Sequence, residues 1–152
     1  MENQDYNNSF FRFEDLRVYG KATDYASWLC TALREANNEM ERALFSNFCR
    51  SAISISSAIA EGSSRNKTQF QNHLKNAKTS IRECVTLTEI AHKIGAITVE
   101  SRDRSRELLM ELTRMIGALI ISLQRPVTRP TNAENEEPSF EEDPLDNIET
   151  NF

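Results

Sequence analysis

Glycine and proline are scarce: the chain has four of each in 152 residues, and three of the prolines lie beyond residue 127. So little Gly and Pro argues against a turn-rich β architecture and favours long uninterrupted helices. Cysteine is also sparse. Cys30, Cys49 and Cys84 are odd in number and widely spaced, without a C-x-x-C pair or a Cys/His ligand pattern, which excludes a disulfide scaffold and a zinc module. They read as small buried apolar residues in a reducing compartment. The longest strongly apolar run, Met115 to Leu123, falls far short of the roughly 20 residues a membrane span needs. The opening "MENQDYNNSF" lacks the basic start and apolar core of a secretion signal, so a cytoplasmic, membrane-independent protein is expected.

Catalytic signatures are missing too. "EGSSRNK" at Glu61–Lys67 has neither the spacing nor the preceding strand of a phosphate loop. His73 and His92 stand 19 apart, and Glu89 three before His92 forms a single E-x-x-H pair where a di-iron bundle needs two plus further core carboxylates. Ser54, Ser56 and Ser57 have no base near them in sequence and suit close helix approach. The expectation is a non-enzyme with no cofactor and no metal.

What is present is helical periodicity. The first pattern runs from Glu14 to Ala36, with Leu16, Tyr19, Ala22, Ala26, Leu29 and Leu33 as its apolar line and Phe13 as a staple before it. The second runs from Glu39 to Glu61. Asn38 and Glu41 have capping-box spacing, and Leu44, Phe48, Ala52, Ile55 and Ile59 form the stripe. "ISIS" at Ile53–Ser56 alternates like a strand, but its flanks are helical and Gly62 has the place of a left-handed C-terminal cap. The third runs from Lys67 to Ile94, capped by Asn66. Phe70, Leu74, Ala77, Ile81, Cys84, Thr88 and Ala91 alternate steps of four and three, the seam of left-handed bundle packing, until Gly95 stops it. The fourth runs from Val99 to Arg125, capped by Thr98 or Ser101 and ended by Pro126. Its stripe reads Leu108, Leu112, Met115, Leu119 and Leu123, widened by Ile116 and Ile120.

Matched lengths and short turns predict an all-α, antiparallel up-down-up-down four-helix bundle over residues 13–126. Residues 1–12 and the acidic segment 127–152 are expected to be disordered. Val85, Ala118 and Ile121 beside the main seams make the apolar stripes wider than a lone bundle needs, which points to self-association.

Charge divides along the chain. Residues 127–152 hold eight acids and one base, a net −7, whereas the rest carries 17 bases against 15 acids. From Gly62 to Arg82 there are five bases, Arg65, Lys67, Lys75, Lys78 and Arg82, and no acid. Lys75, Lys78 and Arg82 share one helical face by their spacing. Arg102, Arg104 and Arg106 in "SRDRSR" form a second set. A basic face without interleaved aromatics suits backbone-directed phosphate contact rather than base stacking. The competing reading is a protein–protein scaffold whose acidic segment recruits a basic partner or shields the basic face.

One further anomaly is Glu61. A carboxylate at a helix C-terminus meets the negative end of the macrodipole and calls for a nearby cation. Arg65 past the turn, or Arg50 from a neighbouring subunit, would supply it.

"FEDLRVYGKA" (Phe13–Ala22), "FCRSAISISSAIAEGSSR" (Phe48–Arg65) and "AKTSIRE" (Ala77–Glu83) together resemble a bacterial four-helix-bundle family. Its founding members are encoded in intervening sequences of large-subunit ribosomal RNA genes. The resemblance covers about residues 13–125. Arg50, Ser54, Ile55, Ile59, Glu61, Gly62 and Arg65 match its central motif, and Ser80 and Glu83 a later one. Ala58, Cys49 and Thr79 stand where the pattern has Asn, Arg and Gly. The resemblance implies a ring-like homopentamer. It also implies kinship with accessory variability proteins of diversity-generating retroelements, which bind RNA or DNA and a reverse transcriptase through a basic surface.

Overall fold

A computed structural model describes residues 10–33 and 35–126. Apart from Phe10, Phe11 and Arg12, the two segments expected to be disordered lie outside the described residues. A short 3-10 turn, Arg12–Asp15, precedes four helices: α1 (Arg17–Ala32), α2 (Glu39–Ser63), α3 (Lys67–Lys93) and α4 (Val99–Gln124). Among the described residues, contacts join α1 to α2, α2 to α3, α3 to α4 and α4 back to α1, with no diagonal pair, so the helices close into a square. The brief connections reverse direction at each step. The pairings Tyr25–Ser105 and Lys21–Glu111 descend α1 while ascending α4, so the closing pair is antiparallel too.

α2, α3 and α4 each start where a short polar side chain satisfies a free N–H group, whereas α1 follows Leu16 with no side-chain cap. Asn38 accepts from the Glu41 N–H at 2.9 Å, Asn66 from Gln69 at 2.9 Å, and Thr98 from Ser101 at 3.1 Å. Thr98 is therefore the α4 cap. Glu41 turns back to accept the Asn37 N–H at 2.8 Å and is itself nearly buried. The first helix is shorter than its periodicity suggests. It begins at Arg17 after Leu16 and ends at Ala32, and Phe13 sits in the 3-10 turn with its ring 5.0 Å from that of Tyr19.

Gly95 stops α3 as expected, but Gly62 does not have the role its position suggests. Gly95 is the described glycine with positive φ, at 75°, and closes α3 with a Schellman pair. Its own N–H reaches the His92 carbonyl at 3.0 Å, and the Ala96 N–H reaches Ala91 at 2.8 Å. Gly62 is not a left-handed cap. It lies within α2 and is buried where α2 and α3 converge, and a Cβ there would come within 2.5 Å of His73 Cβ and 2.9 Å of Phe70 Cδ2. The α2 end is finished by serines: Ser63 donates to the Ala60 carbonyl at 2.8 Å and Ser64 to that of Glu61 at 2.9 Å.

The seven buried residues of α3 are the seven of the expected seam, Phe70 to Ala91. On α2, Phe45 is buried and Leu44 only partly so; on α1, Val18 and Tyr25 join Ala22, Ala26, Leu29 and Leu33 in the core. The departure is on α4. Its buried line is Ser105, Leu109, Leu112 and Ile116, whereas Leu108, Met115, Leu119 and Leu123 are half-buried flanks. The reason is a hydroxyl chain in the core. Tyr25 Oη lies 2.9 Å from Ser105 Oγ, Ser105 Oγ lies 2.8 Å from Thr88 Oγ1, and Thr88 donates to the Cys84 carbonyl at 2.7 Å.

Each hydroxyl has one proton, which fixes the direction. Thr88 spends its proton on Cys84, so Ser105 donates to Thr88 and Tyr25 donates to Ser105. A buried polar group is tolerated only when satisfied, and this chain satisfies three from three helices. Of the cysteines, Cys84 is fully buried and Cys30 and Cys49 half-buried.

Ser105→Ala would leave the Tyr25 hydroxyl without an acceptor, at an expected cost of about 1–3 kcal/mol. In a Tyr25→Phe background the same change should cost clearly less. A double-mutant cycle by denaturant unfolding that gave purely additive losses would contradict the directed chain.

Burial also shifts the core's acids. The Cys84 thiol is pushed up to about 12, chiefly by desolvation, and Cys49 also to about 12, by desolvation and then by neighbouring Cys30. Burial raises the Tyr25 hydroxyl further still. Groups harder to ionise folded than unfolded contribute stability that is complete below the ordinary thiol value of 9.0 and lost as pH rises toward about 12. Unfolding midpoints should therefore hold constant from neutrality to about pH 9 and fall steeply above it.

Candidate nucleic-acid interface

The basic residues of α3 fall on one flank, and Glu89 identifies which. Lys67, Lys75, Lys78 and Arg82 precede Glu89 by 22, 14, 11 and 7 residues. At about 100° per residue, all four lie within about 40° of it around the helix. Glu89 accepts from two α4 side chains, Arg102 Nε at 3.3 Å and Arg106 Nη1 at 2.7 Å. The basic stripe therefore runs along the α3–α4 edge of the bundle, on the outer side of the seam between these helices. Lys67, Lys75 and Arg82 are exposed and Lys78 is partly so. Among the described residues, Lys67, Lys78 and Arg82 have no ion-pair partner.

The second basic set divides. Arg102 and Arg106 join the same edge as the α3 stripe, at its far end, where they share the single carboxylate of Glu89. Desolvation alone would raise the Glu89 carboxyl, but the bonds and charges of Arg102 and then Arg106 outweigh it and hold the carboxyl below its ordinary value. Arg102 also meets Asp103 at 3.2 Å. Arg104 lies on the other side of α4, paired with Glu107 at 3.2 Å. It lines a shallow cleft of about 460 Å³ that faces α1 and includes Lys21, Glu111 and Arg114. Sequence spacing missed Glu89 as the acid of the site. The signal was there, since it continues the face of Lys78 and Arg82 at helical intervals.

Arg65 stands at the α2–α3 turn, and its Nη2 lies 3.7 Å from Glu61 Oε1, with both side chains about half exposed or more. The cation for Glu61 is thus the one past the turn, in a solvent-screened pair. The other motif residues sort by depth. Ile55, Ile59 and Gly62 are buried. Ser54 and Ser80 are half-buried, with the Ser54 hydroxyl donating to the Arg50 carbonyl at 2.9 Å. Arg50 and Glu83 are exposed. Among the described residues no group of three His, Cys, Asp or Glu side chains is placed to hold a metal ion, and no helix is long and apolar enough to cross a membrane.

Apolar surface remains on α4. Met110 and Ile121 are each more than half exposed. An apolar groove of about 300 Å³ runs between the start of α1 and the end of α4, lined by Leu16, Arg17, Val18, Met115, Ala118 and Leu119.

A square antiparallel bundle with an acid-poor stripe on one lateral edge defines a class of helical proteins whose features lie on its surface rather than in an internal cavity. The family model for 23S rRNA-intervening sequence proteins matches residues 14–118, and the chain belongs to that family. No curated protein matches it.

The two halves of the Glu61–Gly62 pair should differ sharply on substitution. Gly62→Ala places a Cβ against backbone-proximal atoms of α3 and should destabilise by about 1–3 kcal/mol. Glu61→Gln removes an exposed ion pair worth at most about 0.5 kcal/mol. Urea midpoints at unchanged m-value would report both.

Proposed function

We propose that this protein is a non-enzymatic, cytoplasmic accessory protein that binds the sugar-phosphate backbone of RNA or DNA along the α3–α4 edge. The carrying observation is the stripe Lys67, Lys75, Lys78 and Arg82 on one flank of α3, in a stretch from Gly62 to Arg82 that contains no acid. An ammonium or guanidinium row on a straight helix matches a phosphate row without reading base identity. Arg65 extends the stripe at one end. Arg102 and Arg106 extend it at the other, where an incoming phosphate would compete with Glu89 for them. Arg104 faces away and serves less directly.

Homo-oligomerisation belongs to the same reading. It is supported by the exposed Met110 and Ile121 and by the apolar α1–α4 groove, since a monomer gains nothing by leaving them to water. Five copies, and a reverse transcriptase as protein partner, are carried by the family resemblance. Several copies would multiply a modest phosphate affinity through avidity.

Binding of RNA and DNA by the full chain should fall steeply between low and moderate salt. Replacing Lys75, Lys78 and Arg82 together by Gln should weaken it and lower the salt slope by about two to three. Absence of binding at low salt would remove the nucleic-acid role and leave the scaffold reading, in which the apolar surface of α4 and the acidic segment engage proteins alone.

A further inference from the structure

We infer that the acidic segment 134–149 of this chain is a built-in competitor for the α3–α4 edge, lying along the basic stripe when no polyanion is bound. The regulatory part rests on that edge being the phosphate-binding surface; the docking itself does not.

Charge complementarity and chain geometry carry the inference. All eight acids beyond residue 126 fall between Glu134 and Glu149, and no base lies among them. Across the edge stand Lys67, Lys75, Lys78 and Arg82, with no acid on α3 before Glu83. The segment leaves from the right place. α4 ends at Gln124, at the end of the bundle where α3 begins with Lys67. The stripe from Lys67 to Arg82 is about 23 Å long at 1.5 Å per residue. The ten residues from Gln124 to Glu134 can reach about 33 Å extended, so the acidic run can start beside Lys67 and proceed along the whole stripe.

The α4 side of the edge also suits it. Gly117 and Ile120 follow Arg106 by 11 and 14 residues, which puts them within about 40° of it and so on the α3 side. A Cβ at Gly117 would meet nothing within 4 Å, so the wall is low there. Ile120, partly exposed, offers an apolar contact for Leu145 or Ile148. Tethering supplies an effective concentration on the order of millimolar, enough for a weak electrostatic contact to be occupied at low salt.

Zero-length carbodiimide coupling of the full chain, read by mass spectrometry, tests the docking without any nucleic acid. Amide links from Glu134–Glu149 carboxylates should form preferentially to Lys67, Lys75 and Lys78 over Lys21 and Lys93. They should occur within one chain when light and heavy isotope-labelled copies are mixed, and should be lost at high salt. Equal coupling to all five lysines, or coupling only between chains, would overturn the inference. A full-length variant with the eight acids changed to their amides should then bind RNA about tenfold more tightly at low salt. Selective coupling without any RNA binding by that variant would keep the docked segment and remove the nucleic-acid reading. RNA binding unchanged by the amides, without selective coupling, would do the reverse.

Discussion

The rotation of α4 about its own axis is set by one small polar side chain, and the surface follows from it. Ser105 is buried between Tyr25 of α1 and Thr88 of α3 and completes a directed row of hydroxyls. With Ser105 inward, Arg102 and Arg106 emerge on the α3 side and Arg104 on the α1 side. Had the apolar line through Leu108 and Met115 faced the core, Tyr25 and Thr88 would have lost their partner. Leaving one buried hydroxyl unsatisfied costs about 1–3 kcal/mol, comparable to what burying one more aliphatic side chain contributes. Hydrogen-bond satisfaction therefore competes on equal terms with burial here and selects the seam.

Close helix approach is the second constraint, and Gly62 meets it. The C-terminus of α2 and the first turns of α3 are joined by residues 64–66, so the two helices must nearly touch as they diverge. The absence of a side chain at Gly62 lets His73 and Phe70 pack directly against α2 backbone. That contact holds the start of α3, and with it the first cation of the basic stripe. The Glu61–Arg65 pair beside it is exposed and secondary. Buried small residues thus hold position at this end of the bundle, and the charges stand at the surface.

The α3–α4 edge is an electrostatic arrangement more than a cavity. Its cations differ in availability because acids are unevenly distributed. Glu89 holds Arg102 and Arg106 at one end, whereas α3 carries no carboxylate from Lys67 to Arg82. An anion approaching the edge would find Lys78 and Arg82 first and displace Glu89 only at greater cost.

The sequence by itself determined the helices, their caps at Asn38, Asn66 and Thr98 or Ser101, the complete α3 seam and the segregation of charge. These are properties of local spacing: a four-three alternation or an Asn three residues before a Glu acts within one or two turns. Only the tertiary structure decided that Ser105 rather than Leu108 faces inward, that Gly62 serves close approach, and that Glu89 gathers two arginines from another helix. Each depends on an atom brought close from a different helix. Tyr25 lies 80 residues from Ser105, and periodicity within α4 carries no trace of it.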